Sequence, residues 1–405
     1  MLDWASQFSI LLFLDSNSYQ SPHGKYECLL AAGEVGEVSE SLEQLQQAHD
    51  AQSDWYFGHL CYDYKNQLEP RLHSRHAGKQ GFPELYFFRP RYVCYISSNY
   101  TTLTIEALDA DPASVYNELL QAHRKQQPLP SITFQQRTAR NEYLTVIDKL
   151  RRHIADGDCY EINYCTEGYS NGVTLSPPDA FARLNELSPA PFAAYYRLQD
   201  ACLMCSSPER YLQKSGGTLI AQPIKGTAKR GENEAADEQA KQALHSSIKE
   251  RAENVMIVDL TRNDLARVCE TGSVSVEELF GIYTFPKVHQ MISTVSGKMR
   301  AGVPFTDAIR YSFPMGSMTG APKMKVMELT DTYEQARREL FSGTVGYISP
   351  TGDFDFNVVI RSLFYNAATQ YLSYQTGGAI TYDSDALQEW EEMRLKAWAL
   401  ERIFS

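Results

Sequence analysis

The sequence predicts a protein of the α+β class. Short apolar runs of strand length recur along the chain, at Phe192–Leu198, Ala201–Ser206 and Tyr374–Ile380 among others. Between them lie segments with helical periodicity, such as Tyr143, Leu144, Ile147, Leu150 and Ile154. The 405 residues, with 43% hydrophobic content, can bury a large core and approach the size at which one globule splits into two. The expected organisation is a strand-rich N-terminal portion, residues 1–125, packed on a second part, residues 131–405, across a linker at Gln126–Pro130.

The first part reads as strands and loops with aromatic clusters at Trp55–Phe57 and Leu85–Phe88. Helix-like stretches at Ser39–His49 and Ala113–Lys125 interrupt it, and no catalytic constellation is visible there. The net charge of -12 argues against nucleic acid or an anionic membrane as partner, because both would be repelled. An anionic substrate would need local positive charge. The Ile10–Leu14 run is too short to span a bilayer and has no basic leader ahead of it, so a cytoplasmic protein is expected. The eight cysteines are scattered, and Cys202 and Cys205 form a C-x-x-C without a second pair; they read as small, reduced, apolar residues.

In the second part, Asn141 is the candidate cap of a helix ending at Asp156–Asp158, followed by a strand at Cys159–Thr166 and a helix near Pro178–Leu187. Two strands follow, the second closing on Ser207-Pro-Glu-Arg210. Glu209 there is a candidate acid, or else a salt-bridged strand end. The chain is organised around Ala221-Gln-Pro-Ile-Lys-Gly-Thr-Ala-Lys-Arg-Gly231. Lys225 is the candidate nucleophile: its neighbours carry no charge, and a lysine against apolar walls and other cations loses part of its preference for the ammonium form. Gly226 permits close approach of a ligand, and Thr227 offers a hydroxyl and an N–H to a carboxylate. The order Lys-Gly-Thr excludes a phosphate loop, leaving a solvated turn as the competing reading.

The polar stretch Gly231–Ile257 has helical composition and places Glu250 and Glu253 on one face. Near the C-terminus Ser384 is a candidate cap for a helix on which Glu389, Glu392 and Lys396 share a stripe. Two such helices could clamp a hard divalent cation in an oxygen shell, although each pair taken alone reads as a solvated helix face. The loop Phe313–Lys323 suits an anion through its glycines, hydroxyls and N–H groups. Strands are expected at Phe341–Ser349 and Phe354–Phe364, the latter carrying Arg361 in an apolar stretch where a planar fork suits a carboxylate. Gly377 and Gly378 leave room for a flat ligand in the Tyr374–Ile380 strand.

Taken together, Gly157–Asn163, Ser207–Arg210, Gln222–Thr227, Glu250–Asp264, Phe313–Lys323, Phe341–Gly346, Ile360-Arg361, Gly377-Gly378 and Glu389–Lys396 resemble, in order, the blocks of the chorismate-utilising enzymes of the anthranilate synthase component I family. Phe13–Ser16 and Gly58–Asp63 extend the resemblance weakly into the first part. It implies an antiparallel sandwich of large sheets with helices packed outside. Lysine at position 225 is the mark of the aminodeoxychorismate synthase branch, where it attacks ring carbon 2 and expels the 4-hydroxyl; the other branches usually have alanine. The isomerases activate water with a lysine at the position of Glu161, which argues against that chemistry here.

The implied activity is Mg2+-dependent amination of chorismate to 4-amino-4-deoxychorismate, an amino-group transfer feeding para-aminobenzoate and folate. Glu209 would be the general acid. Glu253 and Glu392 would hold Mg2+, with Glu250 and Glu389 in its outer shell. Arg361, Lys396 and the backbone of Gly226, Thr227, Gly377 and Gly378 would bind the substrate. Ammonia is expected from a separate glutamine amidotransferase subunit, since no Gly-x-Cys-x-Gly elbow occurs, and no fused lyase is expected after the helix that carries Glu392. Leu14-Asp15-Ser16 stands where inhibited relatives carry Leu-Glu-Ser, which leaves tryptophan as a candidate ligand of the N-terminal portion. Two residues depart from the pattern: Glu161 replaces a usual glutamine, and Gln290 a usual histidine, with His289 one place earlier. Anthranilate synthase component I and a non-catalytic chorismate- or tryptophan-binding subunit are the alternatives.

Overall fold

The computed structural model describes residues 1–405 as nineteen strands and eleven α-helices. All strand pairs are antiparallel, and they form one continuous hydrogen-bonded ladder. One end is the Glu161–Ser170 strand. From there the ladder passes through Tyr371–Ile380, Ser362–Asn366, Ala201–Ser207 and Phe192–Leu198. The N-terminal strands occupy its middle: Ile10–Asp15 pairs with Phe192–Leu198, and Tyr56–Leu60 pairs with Thr344–Ile348. The ladder then continues through Phe354–Asn357, Arg210–Ser215 and Thr218–Gln222 to Val288–Lys298, which carries Ile224–Lys229.

A core of 52 buried residues, including Leu12, Phe57, Phe87, Leu203, Leu212, Val295 and Phe356, draws on strands from both parts of the chain. Two smaller clusters lie where helices cover the sheets. One packs Pro177–Leu187 and Ala386–Arg402 over strands through Phe181, Leu184, Ala397 and Leu400. The other packs Arg140–Ala155 against the Glu161 strand through Tyr143, Ile147 and Ile162. The α+β class and its antiparallel sheets with outer helices are therefore as expected. No helix is long and apolar enough to cross a membrane.

Three local expectations are corrected. The Arg140–Ala155 helix is preceded by Ala139 without a side-chain cap, so Asn141 lies inside it. The last helix is capped by Asp385, which accepts from the N–H groups of Leu387 and Gln388, while Ser384 accepts from Thr381. The Phe354–Phe364 strand is broken at Val358–Arg361, because Arg361 adopts a left-handed backbone with φ of 52°. Cys202 and Cys205 are buried free thiols in one strand, in keeping with a structural role.

Because the first part fills the middle of the ladder, residues 131–405 expressed alone would leave the Phe192–Leu198 and Thr344–Ile348 edges unpaired. Such a fragment is expected to aggregate rather than elute as a folded monomer in size-exclusion chromatography. A soluble, cooperatively melting fragment would contradict this role for the N-terminal strands.

Candidate active site

Lys225 is not in a solvated turn. It stands in the Ile224–Lys229 strand, whose register against Val288–Lys298 shifts between the pairs Ile224↔Ile292 and Thr227↔Gln290. The extra residue makes a bulge, a device that bends a strand and re-aims a side chain. Gly226 serves this bulge with φ of +92°, and a Cβ there would lie 2.9 Å from Glu250 Oε2. The lysine is only 8% exposed, and its Nζ lies 2.5 Å from Oε1 of the fully buried Glu161.

Glu161 opens the strand at the far end of the ladder. Its backbone is clamped by pairing with Ala321, from the Phe313–Lys323 loop, and a Cβ at Gly320 would fall 2.1 Å from the Glu161 carbonyl oxygen. The surroundings of Lys225 overturn the expected weakening of its ammonium form. Burial alone would lower its pKa, but Glu161, Glu253 and Glu209 outweigh burial and raise it. Its neighbours are carboxylates, not cations.

Glu209 is buried beside this pair. Desolvation pushes its carboxyl up to about 7, against the opposing pull of Ser317, the Ile224 N–H and Lys225. A carboxyl of that kind keeps a proton to give near neutral pH.

The two predicted carboxylate pairs also converge. Glu250 and Glu253 lie on the Ile248–Ala266 helix, and Glu389 and Glu392 on the Ala386–Arg402 helix. Lys249, not singled out in the sequence, bridges them, with Nζ 3.9 Å from Glu253 Oε1 and 3.7 Å from Glu389 Oε1. Its position four residues before Glu253, one helical turn, was the available signal. Burial pushes Glu253 up to about 7 and raises Glu250 and Glu389, whereas the Lys396 ammonium, 2.7 Å away, lowers half-exposed Glu392. Lys396 also donates to the Gly377 carbonyl at 2.9 Å. A Cβ at Gly378 would stand 3.4 Å from Glu389 Oε2 and 3.8 Å from Glu392 Oε1, so this glycine borders the acidic cluster.

Oε1 of Glu253 is buried without a hydrogen-bond partner. An all-oxygen set with such an orphaned atom fits a hard divalent cation. In this structure the carboxylates gather around Lys249, and no three acidic groups meet as a preformed metal shell.

Arg361 occupies the break between two strands, half-buried, and no carboxylate pairs with its guanidinium. Burial lowers its pKa and Glu392 partly restores it. A strained backbone holding an unpaired arginine beside Glu392 leaves a cation available to an anionic ligand. Thr227 is exposed opposite Gln290, whose buried Oε1 lacks a partner. His289 is buried and held elsewhere, with Nε2 2.9 Å from Asp237 Oδ1 and Nδ1 3.0 Å from Thr284. Neighbours along a strand point to opposite faces, so His289 does not replace a histidine at 290.

A cavity of about 120 Å3 lies away from this cluster, where the N-terminal strands meet the second part of the chain. It is lined by Leu14, Asp15, Ser16, Tyr26, Arg210 and Tyr347 among others, and so includes the Leu14–Ser16 motif.

The raised pKa of Glu209 carries a stability consequence. Its shift from 4.5 to about 7 makes the folded state bind a proton more tightly than the unfolded chain. The stability linked to that proton is full below 4.5 and is lost as pH rises through 7, a difference of about 3 kcal/mol. Glu209→Gln, which cannot ionise, is therefore expected to melt above the parent at pH 8, with the gap closing toward pH 5. An unchanged or lower melting temperature at pH 8 would contradict the burial of an ionising acid.

Comparison with known proteins identifies relatives of this chain. The aminodeoxychorismate synthase component 1 of Salmonella typhimurium is 39% identical over 259 residues, covering 64% of this chain and 56% of that protein. An anthranilate synthase component I-like protein of Synechocystis is 32% identical over 349 residues, covering 85% of this chain and 71% of that protein. The chain spans about half the length, or less, of the aminodeoxychorismate synthases it matches, from 28% to 59%. In fold, anthranilate synthase component I from Streptococcus pneumoniae superposes with a TM-score of 0.81 at 24% identity, over 95% of this chain and 94% of that one. The family profile described as chorismate binding enzyme matches residues 15–402, and the chain therefore belongs to the chorismate-binding enzyme family.

Proposed function

We propose that this chain aminates chorismate to 4-amino-4-deoxychorismate, with ammonia from a glutamine amidotransferase subunit, on the route to para-aminobenzoate and folate. The observation that carries the reading is Lys225, a buried amine aimed by a bulge between two carboxyl groups of opposite use, Glu161 and Glu209. The relatives named aminodeoxychorismate synthase support the same branch.

In this reading Lys225 adds at ring carbon 2 while Glu209 gives its proton to the hydroxyl leaving carbon 4. Ammonia then adds at carbon 4 and Lys225 departs. Two displacements of the same sense return the original stereochemistry. Arg361 and Lys396 hold the substrate carboxylates, and Gly226, Thr227, Gly377 and Gly378 let its ring and carboxylates approach the backbone. Glu253 and Glu392 would bind Mg2+, with Glu250 and Glu389 outside them; bound there, the ion would neutralise charge on the dianionic substrate. The N-terminal cavity, whose lining includes Leu14–Ser16, is where tryptophan would bind in this reading.

The test is mass-resolved product analysis of the purified chain with chorismate, Mg2+ and ammonium salts. Aminodeoxychorismate supports the reading; anthranilate overturns it in favour of the tryptophan branch, and no product from a chain that binds chorismate favours a regulatory subunit. Lys225→Ala is expected to lower turnover by at least about a hundredfold while leaving Mg2+-dependent chorismate binding intact, and unchanged turnover would remove the nucleophile. Glu392→Gln, which removes a proposed direct ligand, is expected to weaken Mg2+ binding at least about tenfold by calorimetry, no less than loss of an outer partner would. Full affinity in that variant would move the metal elsewhere.

A further inference from the structure

Lys225 faces a chemical obstacle that its surroundings create. An amine attacks carbon only through its free electron pair, yet three carboxyl groups favour its ammonium form. The proton must therefore have a receiver in contact with Nζ. The charged groups that act most strongly on Lys225 are Glu161 from the Glu161–Ser170 strand, Glu253 from the Ile248–Ala266 helix, and Glu209 from the Ser207–Arg210 turn; Glu250 of the same helix as Glu253 and Glu392 of the Ala386–Arg402 helix act on it more weakly. Only Glu161 is within ion-pair distance of Nζ. Glu209 is needed in its acid form for the leaving hydroxyl, so it cannot also receive.

We propose that Glu161 is the catalytic base that takes the Lys225 proton and stores it through the reaction. The inference rests on the nucleophilic role of Lys225 proposed above. Glu161 is fully buried and its second oxygen, Oε2, has no hydrogen-bond partner. A carboxylate half-satisfied in that way is costly in a dry interior, and passing a proton along the 2.5 Å contact removes two buried charges at once. The clamped backbone at Ala321 fixes the carboxyl for this transfer.

The steps balance. The Lys225 Nζ–H bond breaks as the Glu161 Oε1–H bond forms, giving a neutral amine and a carboxylic acid. The amine pair forms the bond to carbon 2, the conjugated ring double bonds shift toward carbon 4, the carbon 4–oxygen bond breaks, and the hydroxyl leaves as water with the Glu209 proton; the ammonia step shifts them back. The ammonia pair then forms the bond to carbon 4 as the bond between Nζ and carbon 2 breaks, returning its pair to Lys225. The new ammonium at carbon 4 gives a proton to Glu209, and Glu161 returns its proton to Lys225. The sum is chorismate plus ammonia to aminodeoxychorismate plus water.

A base and a mere counter-ion predict opposite effects. Removing the Glu161 charge by Glu161→Gln lowers the Lys225 pKa, so a counter-ion predicts faster attack; loss of a base predicts slower attack. The experiment follows the chorismate adduct on Lys225 by intact-protein mass, with Mg2+ and without ammonia, in the full chain from pH 6 to 9. The expected result is adduct in the parent with little pH dependence. In Glu161→Gln its rate should be lower by about 100-fold or more and rise with pH. Glu161→Asp, which keeps a base at longer reach, should be intermediate and keep the parent's pH profile, and it serves alone if the glutamine variant does not fold. An adduct rate in Glu161→Gln equal to or above the parent's, or a collapse in Glu161→Asp to a pH-dependent rate, overturns the base. No adduct in the parent overturns the nucleophile itself and this inference with it.

Discussion

The contact between Lys225 and Glu161 joins strands from opposite ends of one antiparallel ladder. Everything between them, including the N-terminal strands, has to be in register for Nζ and Oε1 to meet. A slip of one residue in any strand turns its side chains to the other face. The geometry of this contact is thus a property of the whole ladder, and the large shared core is what holds that ladder to one register.

The second constraint is electrostatic. Glu161, Glu209, Glu250, Glu253 and Glu389 are wholly or largely withdrawn from water in a chain whose net charge is already -12. Such a concentration of acid persists only if cations share it, and Lys225, Lys249 and Lys396 do so at different places. The arrangement sorts the carboxyl groups by role. Glu392, beside Lys396, is held as an anion, whereas Glu209 and Glu253 are poised near neutrality because burial outweighs their nearest cation. One helix-borne lysine between two acidic helices leaves an all-oxygen cluster whose positive partner is exposed enough to move aside.

Much of this was legible in the sequence, for physical reasons. Period and spacing put Glu250 with Glu253 and Glu389 with Glu392 on single faces, and ordered blocks tied them to Lys225, Glu209 and Arg361. What spacing cannot convey is long-range environment. The charge state of Lys225 is not legible from Ile224 and Gly226, because Glu161 and Glu253 are remote in sequence. The break at Arg361 is not legible either, because an apolar run signals burial but not a left-handed residue within it. Lys249 carries no signal of its own, because an exposed helix lysine is ordinary until a second helix delivers Glu389 to it. Cap positions at Asn141 and Ser384 missed by a residue or more, since several polar residues near a helix start compete for one geometry.

Backbone proximity explains why glycines mark the site more sharply than its acids do. Gly320 lets the Phe313–Lys323 loop press on Glu161, Gly226 lets the bulge press on Glu250, and Gly378 leaves a gap beside Glu389 and Glu392. At the first two, any side chain would push apart the pieces that Lys225 and Glu161 must bridge. At the third, a side chain would fill the space between strand and carboxylates. An acid's charge state shifts with its surroundings. The approach distances have no such latitude, and they fix how closely any ligand can lie against Lys225, Glu161, Glu250 and Glu389 together.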